Sequence, residues 1–136
     1  TSLEIYSSKD KLIIGELGKL RGNLKFSEME LDKLTDNINL TMKIAELKVS
    51  KVLKNDADII IDQVSSEIDL NISGFAFKFN ATLEEGLLRL PKAFDNVSSE
   101  MINKGKRIRK ITGSYGNSSS GNVSITGKKG VILLKE

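Results

Sequence analysis

The chain has no cysteine, no histidine and no tryptophan, one proline, and few aromatics: two Tyr and five Phe in 136 residues. Without Cys there are no disulfides and no thiolate nucleophile, and the redox compartment stays open. Without His the chain lacks the usual general base near neutral pH, the Ser–His and Cys–His nucleophile pairs, and the commonest transition-metal ligand. Long hydrophobic runs are also missing. Stretches such as Val131 to Leu134 are far too short to span a bilayer, and no signal-peptide pattern is visible. What remains is a chain of one-domain length, 39% apolar and 29% charged, as expected of a soluble globular protein. It starts at Thr1 rather than Met, which leads to the expectation of a piece cut from a larger exported protein.

Charge is unevenly placed. Residues 1–100 carry 13 Lys/Arg against 17 Asp/Glu, whereas residues 101–136 carry 8 Lys/Arg against Glu136 alone. A positive field at one end of the molecule follows. A lysine-rich strand edge that resists aggregation accounts for the same split.

An apolar-x-apolar-x-x-apolar pattern recurs at Leu12/Ile14/Leu17, Met29/Leu31/Leu34, Leu47/Val49/Val52 and Ile59/Ile61/Val64, with steps of 17, 18 and 12 residues. Ser7, Leu24 and Met42 each precede their copy by five residues. Each unit reads as strand, bend, strand and corner, and a coil of such units leaves an apolar face that only the next rung covers. The predicted fold class is therefore all-β, a single parallel β-solenoid over residues 1–136. The alternative is α+β with a helix near residues 28–53, since Leu31, Leu34, Ile38, Met42, Ala45, Val49 and Val52 form a helical stripe. Against it, Leu40, Ile44 and Leu47 fall off the stripe and "TDNINLT" is rich in poor helix formers. The neighbours "SEIDLNIS" and "FAFKFNAT" alternate with period two. Residues 83–105 are expected to be an irregular insertion or a short helix from Pro91 to Gly105, with Phe94, Val97 and Met101 facing inward. Strand character returns in "KRIRKITGSYG", "NVSIT" and "VILLK".

The ending carries a resemblance. Ser119, Ser120, Gly121, Asn122, Val123 and Ile125, followed by Gly130, Ile132 and Leu134, are similar to the SSG-D/N-V-x-I and G-x-I-x-L repeats that close members of the bacterial putative-adhesin family. "KFSEMELDKL" and "MKIAELKVSKV" resemble that family's upstream repeats, although the upstream turn glycines are largely missing. The resemblance implies a right-handed β-solenoid, an extracytoplasmic setting at the cell envelope, and no catalytic residues.

Two constellations bear on binding. Lys104, Lys106, Arg107, Arg109 and Lys110 place five basic residues within seven positions, and Lys128 and Lys129 add a pair in a turn. Together they are a candidate patch for an anionic polymer or lipid headgroups. Nucleic acid is disfavoured because Tyr115 is the one aromatic nearby for stacking. Asp56, Asp58, Asp62, Glu67 and Asp69 could hold Ca²⁺ or provide an acid/base pair if they converged. Strand alternation instead turns Asp58 and Asp62 to solvent, and no calcium-loop motif is present. The tail fails the phosphate-loop pattern, since Gly121 and Gly127 lie six apart and Lys128 is followed by Lys129. Asn-x-Ser/Thr occurs at Asn39, Asn71, Asn80, Asn96, Asn117 and Asn122, which reads as polar alternation along strands. No cofactor or metal is expected. The functional expectation is a non-catalytic structural or adhesion-type domain whose partner is a surface glycan, an anionic envelope polymer or another copy of itself.

Overall fold

A computed structural model describes residues 2–53, 57–73, 76–91, 95–103, 105, 107–115 and 121–135. Fourteen strands occur among them and no helix. Four coils come first, each a strand pair: β1 (Ser2–Ser8) with β2 (Lys11–Leu17), β3 (Lys19–Lys25) with β4 (Glu28–Leu34), β5 (Ile38–Lys43) with β6 (Glu46–Val52), and β7 (Asp58–Val64) with β8 (Glu67–Asn71). Next come β9 (Phe77–Glu84) with β10 (Leu87–Arg89), the hairpin β11 (Asp95–Asn103) and β12 (Ile108–Tyr115), and finally β13 (Gly121–Lys128) with β14 (Val131–Lys135). The residues expected to form a helix over 28–53 are β4 to β6. Residues expected to be irregular or helical after Thr82 carry β10 and β11 instead; Phe94 lies outside the described residues.

The coils stack into two sheets. One runs β1-β3-β5-β7-β13-β9-β12-β11 and the other β10-β14-β8-β6-β4-β2. Pairing between coils is parallel and in register, while β11–β12 and β12–β9 are antiparallel. The architecture is thus the expected all-β, parallel, solenoid-like stack, with two features of its own. A hairpin extends one sheet, and the last coil, β13–β14, sits between β7–β8 and β9–β10.

One core runs the length of the stack. Leu20, Ile38, Ile59, Val123 and Phe79 are register partners in sequence and each is buried. Met29, Leu47, Ile68 and Ile132 form the facing row. The fourth copy of the repeat lies elsewhere than its spacing predicts. Leu47 pairs with Ile68, not Ile59, so the step on that sheet is 21 residues rather than 12. Ile59 belongs to the opposite sheet, and Val64, expected inside, is 41% exposed. The five-residue offset survives this correction: Gln63, the position five before Ile68, is fully buried in the row of Leu24 and Met42.

Corners are built alike. Lys9, Phe26, Ile44, Ser65, Glu85 and Lys129 all have φ between 48° and 60°, the left-handed region that non-glycine residues adopt at a cost of about 1–2 kcal/mol each. Neighbouring coils offset that cost with backbone bonds from each corner N–H to the strand end beside it, such as Ile44 N to Val64 O at 2.9 Å. At two of these corners, after Phe26 and Ser65, a serine one residue further on bonds the neighbouring buried backbone groups. Ser27 Oγ accepts from Asp10 N at 3.2 Å and donates to Lys25 O at 2.9 Å. Ser66 Oγ accepts from Ala45 N at 3.1 Å and donates to Val64 O at 3.0 Å. Ser66→Ala would leave the buried Ala45 N–H without its acceptor, while Val64 O keeps Ile44 N, and is expected to lower unfolding stability by about 1–3 kcal/mol. A urea melt indistinguishable from that of the parent would refute this role.

Candidate functional site

The outward face of the eight-stranded sheet is assembled from the residues that alternate with the core. Register places Asn23, Thr41, Asp62, Thr126 and Thr82 in one row across five strands. A second row is Arg21, Asn39, Ile60, Ser124, Asn80 and Thr112. Adjacent members are about 4.8 Å apart, the strand spacing. Hydrogen bonds tie the inserted coil into this face: Asn122 Nδ2 donates to Asp58 Oδ1 at 3.2 Å, and Thr126 Oγ1 donates to Asp62 Oδ1 at 3.3 Å. Beside them lies a shallow groove of about 610 Å³, whose outward rim is Lys78, Asn80, Thr112, Ser114, Asn122 and Ser124. Short side chains of this kind, presenting donors and acceptors on a rigid sheet, match an extended ligand rich in hydroxyls.

The acidic stretch does not converge. Asp58 and Asp62 lie on β7, Glu67 and Asp69 on β8 of the other sheet, and Asp56 lies outside the described residues. On that second sheet Glu28, Glu46 and Glu67 stack in register, with Glu30, Lys48 and Asp69 in the adjacent row. No group of carboxylates suited to a metal ion occurs among the described residues. Tyr6 donates its hydroxyl to Glu4 Oε1 at 2.7 Å. That hydrogen bond, and then the charge of Glu4, hold its pKa above the ordinary tyrosine value, so the phenol stays protonated and supplies no base at neutral pH.

The basic patch is divided among three places. Arg107 and Arg109 line a cleft at the end of the stack together with Leu88, Met101 and Ile111. Lys110 points the other way, in register with Thr82 and Glu100. Lys128 lies 4.0 Å from Glu84, and Lys129 forms a corner. Lys104 and Lys106 lie outside the described residues. In the sequence, the groove residues Asn80 and Asn122 stand out as Asn-x-Ser/Thr matches, and Asn122 also belongs to the closing repeat. Their strand alternation was the signal, but nothing in the sequence said that β13 and β9 are neighbours.

The chain matches no protein-family model, no curated protein and no solved structure. No helix of the described residues is long and apolar enough to cross a membrane.

Proposed function

We propose that this is a non-catalytic, adhesion-type scaffold of the bacterial cell envelope, working outside the cytoplasm, and that the outward face of its eight-stranded sheet holds an extended polar chain such as a surface glycan. The observation that carries this reading is the registered polar face itself. Rows of Asn, Thr, Ser and Asp continue across the coils, and the groove rimmed by Lys78, Asn80 and Asn122 lies on them. A flat, stiff lattice of donors and acceptors pre-pays the ordering of the protein side and favours repeating ligands that touch several rungs. The resemblance of the closing repeats to adhesin-type domains supports the same class.

Binding to a panel of immobilised polysaccharides tests it. Saturable retention without turnover, lost at least tenfold in Asn80→Ala/Asn122→Ala while the circular dichroism spectrum is unchanged, is the expected result. Retention that ignores this double substitution, or no retention by any polysaccharide, would sink the reading.

A further inference from the structure

Beyond the outward face, the end of the stack carries a second site. The two sheets are unequal: past β9 one continues through β12 and β11, while the facing sheet stops at the three-residue β10. The inward side of the overhanging hairpin therefore has no strand opposite it. Leu83 and Ile111 are buried at its base, but Met101 is 39% and Leu87 49% exposed. Between the hairpin and the β9–β10 coil is a cleft of about 400 Å³, whose apolar wall is Leu83, Leu87, Leu88, Met101 and Ile111.

Two guanidinium groups open onto this apolar wall. Arg109 lies opposite Leu83 and Met101, in the row that elsewhere holds Leu24 and Met42. It thus takes a core-row position on a strand with nothing across from it. Arg107, held at φ 56° in the hairpin turn, accepts a hydrogen bond from Glu85 N at its carbonyl at 3.2 Å and lines the same cleft. Neither has an ion-pair partner among the described residues. Glu85, whose N–H meets the Arg107 carbonyl, also lines the cleft, so two guanidinium groups stand there against one carboxylate and the net charge still favours an anionic head. Unpaired guanidinium forks beside an apolar wall complement one chemistry: an anionic head on a hydrocarbon tail. At roughly 30 Å³ per water-sized group, the cleft has room for about a dozen heavy atoms.

We propose that this cleft binds the carboxylate of a single-chain fatty acid, with the head on Arg107 and Arg109 and the tail along Leu83, Leu88, Met101 and Ile111. The test uses the full chain and the fluorescent probe 11-(dansylamino)undecanoate below its micellar concentration, displaced by decanoate, decanol or decyltrimethylammonium. The expected results are saturable one-to-one probe binding, displacement by decanoate at least tenfold better than by decanol, and none by the ammonium. Arg109→Gln and Arg107→Gln should each weaken decanoate about tenfold or more, the loss of one charge-assisted contact. Lys110→Gln, on the opposite face of the same strand, should leave affinity unchanged. Failure to bind the probe would overturn the proposal. So would equal displacement by all three amphiphiles, or equal effects of Lys110→Gln and Arg109→Gln. A concentration-dependent dimer that decanoate does not dissociate would assign the cleft to a second copy of the chain and likewise overturn it. None of these outcomes bears on the polysaccharide face.

Discussion

Gly127→Ala is expected to lower stability by more than about 3 kcal/mol, a large share of the roughly 5–15 kcal/mol that holds a domain of this size together. Gly127 has φ 148°, and a Cβ there would run into the backbone carbonyl of Gln63 and approach its Nε2 at 2.9 Å. The colliding carbonyl is backbone within the paired stretch, one residue from its end, so it cannot give way without breaking the last pairs of the β7–β13 ladder. Gly130 stands in the same relation to the Gln63 side chain, which occupies the space both glycines leave open. Gly15→Ala is the matched control: nothing lies within 4 Å of its would-be Cβ, and the loss of unfolded-chain freedom should stabilise by about 0.4–1 kcal/mol. Urea unfolding of the two variants checks both signs. If Gly127→Ala melted with the parent, the close approach of β13 to β7 would be wrong.

Gln63 also shows where the sequence was informative and where it was not. Alternation and the five-residue offset were enough to place Ser7, Leu24 and Met42 just before a corner, because that offset follows from a two-residue arch between a buried position and the next one. The same arithmetic fails on the fourth coil only because Ile59/Ile61/Val64 reproduces the three-point pattern on the other sheet. Apolar spacing cannot tell two facing sheets apart, since both have period two. Corners were hidden for a related reason. Glycine is the usual mark of a left-handed residue, yet Phe26, Ile44 and Ser65 take it here, held by the neighbouring coils. The order of coils was the least legible feature. Val123 and Phe79 suit Ile59 equally well as neighbours, so hydrophobicity is silent on which lies beside it. The information lies in polar and volume complements: Gln63 against Gly127 and Gly130, and Asn122 and Thr126 against Asp58 and Asp62. The overhang cleft inherits that difficulty. Arg107 and Arg109 stood out as basic residues, but only the mismatch in sheet length gives them an apolar wall.

A chain shortened to end at Tyr115 is expected to keep its β-sheet spectrum while changing its strand order. Without β13–β14, the strands β7 and β9 lose the coil that separates them. Successive core positions Leu20, Ile38, Ile59 and Phe79 are 18, 21 and 20 residues apart, so β9 has the right spacing to follow β7 directly as the next rung. Both strands already share one register, since Val123 pairs with Ile59 and with Phe79. The rearranged stack loses the buried Val123, Ile125, Ile132 and Leu134. It also sets Gln63 against Leu83 in place of Gly127, and its stability should be clearly lower. The full chain has no cysteine, so an Ile60→Cys/Asn80→Cys pair reports the order. Ser124 separates these two exposed positions in the intact fold, two strand spacings or about 9.6 Å, too far for a disulfide. In the shortened chain they become adjacent at about 4.8 Å and should oxidise readily. Because β9 follows β7 by about 20 residues whereas Ser124 lies 64 residues beyond its partner Ile60, the shorter loop should close first and take the full chain through this sequential stack as well. Oxidant pulsed early in refolding should then trap a disulfide that oxidant added to the native protein does not form. A shortened chain that never cross-links, or an intact native chain that cross-links as fast, would show that the inserted coil is no late addition to a sequential stack.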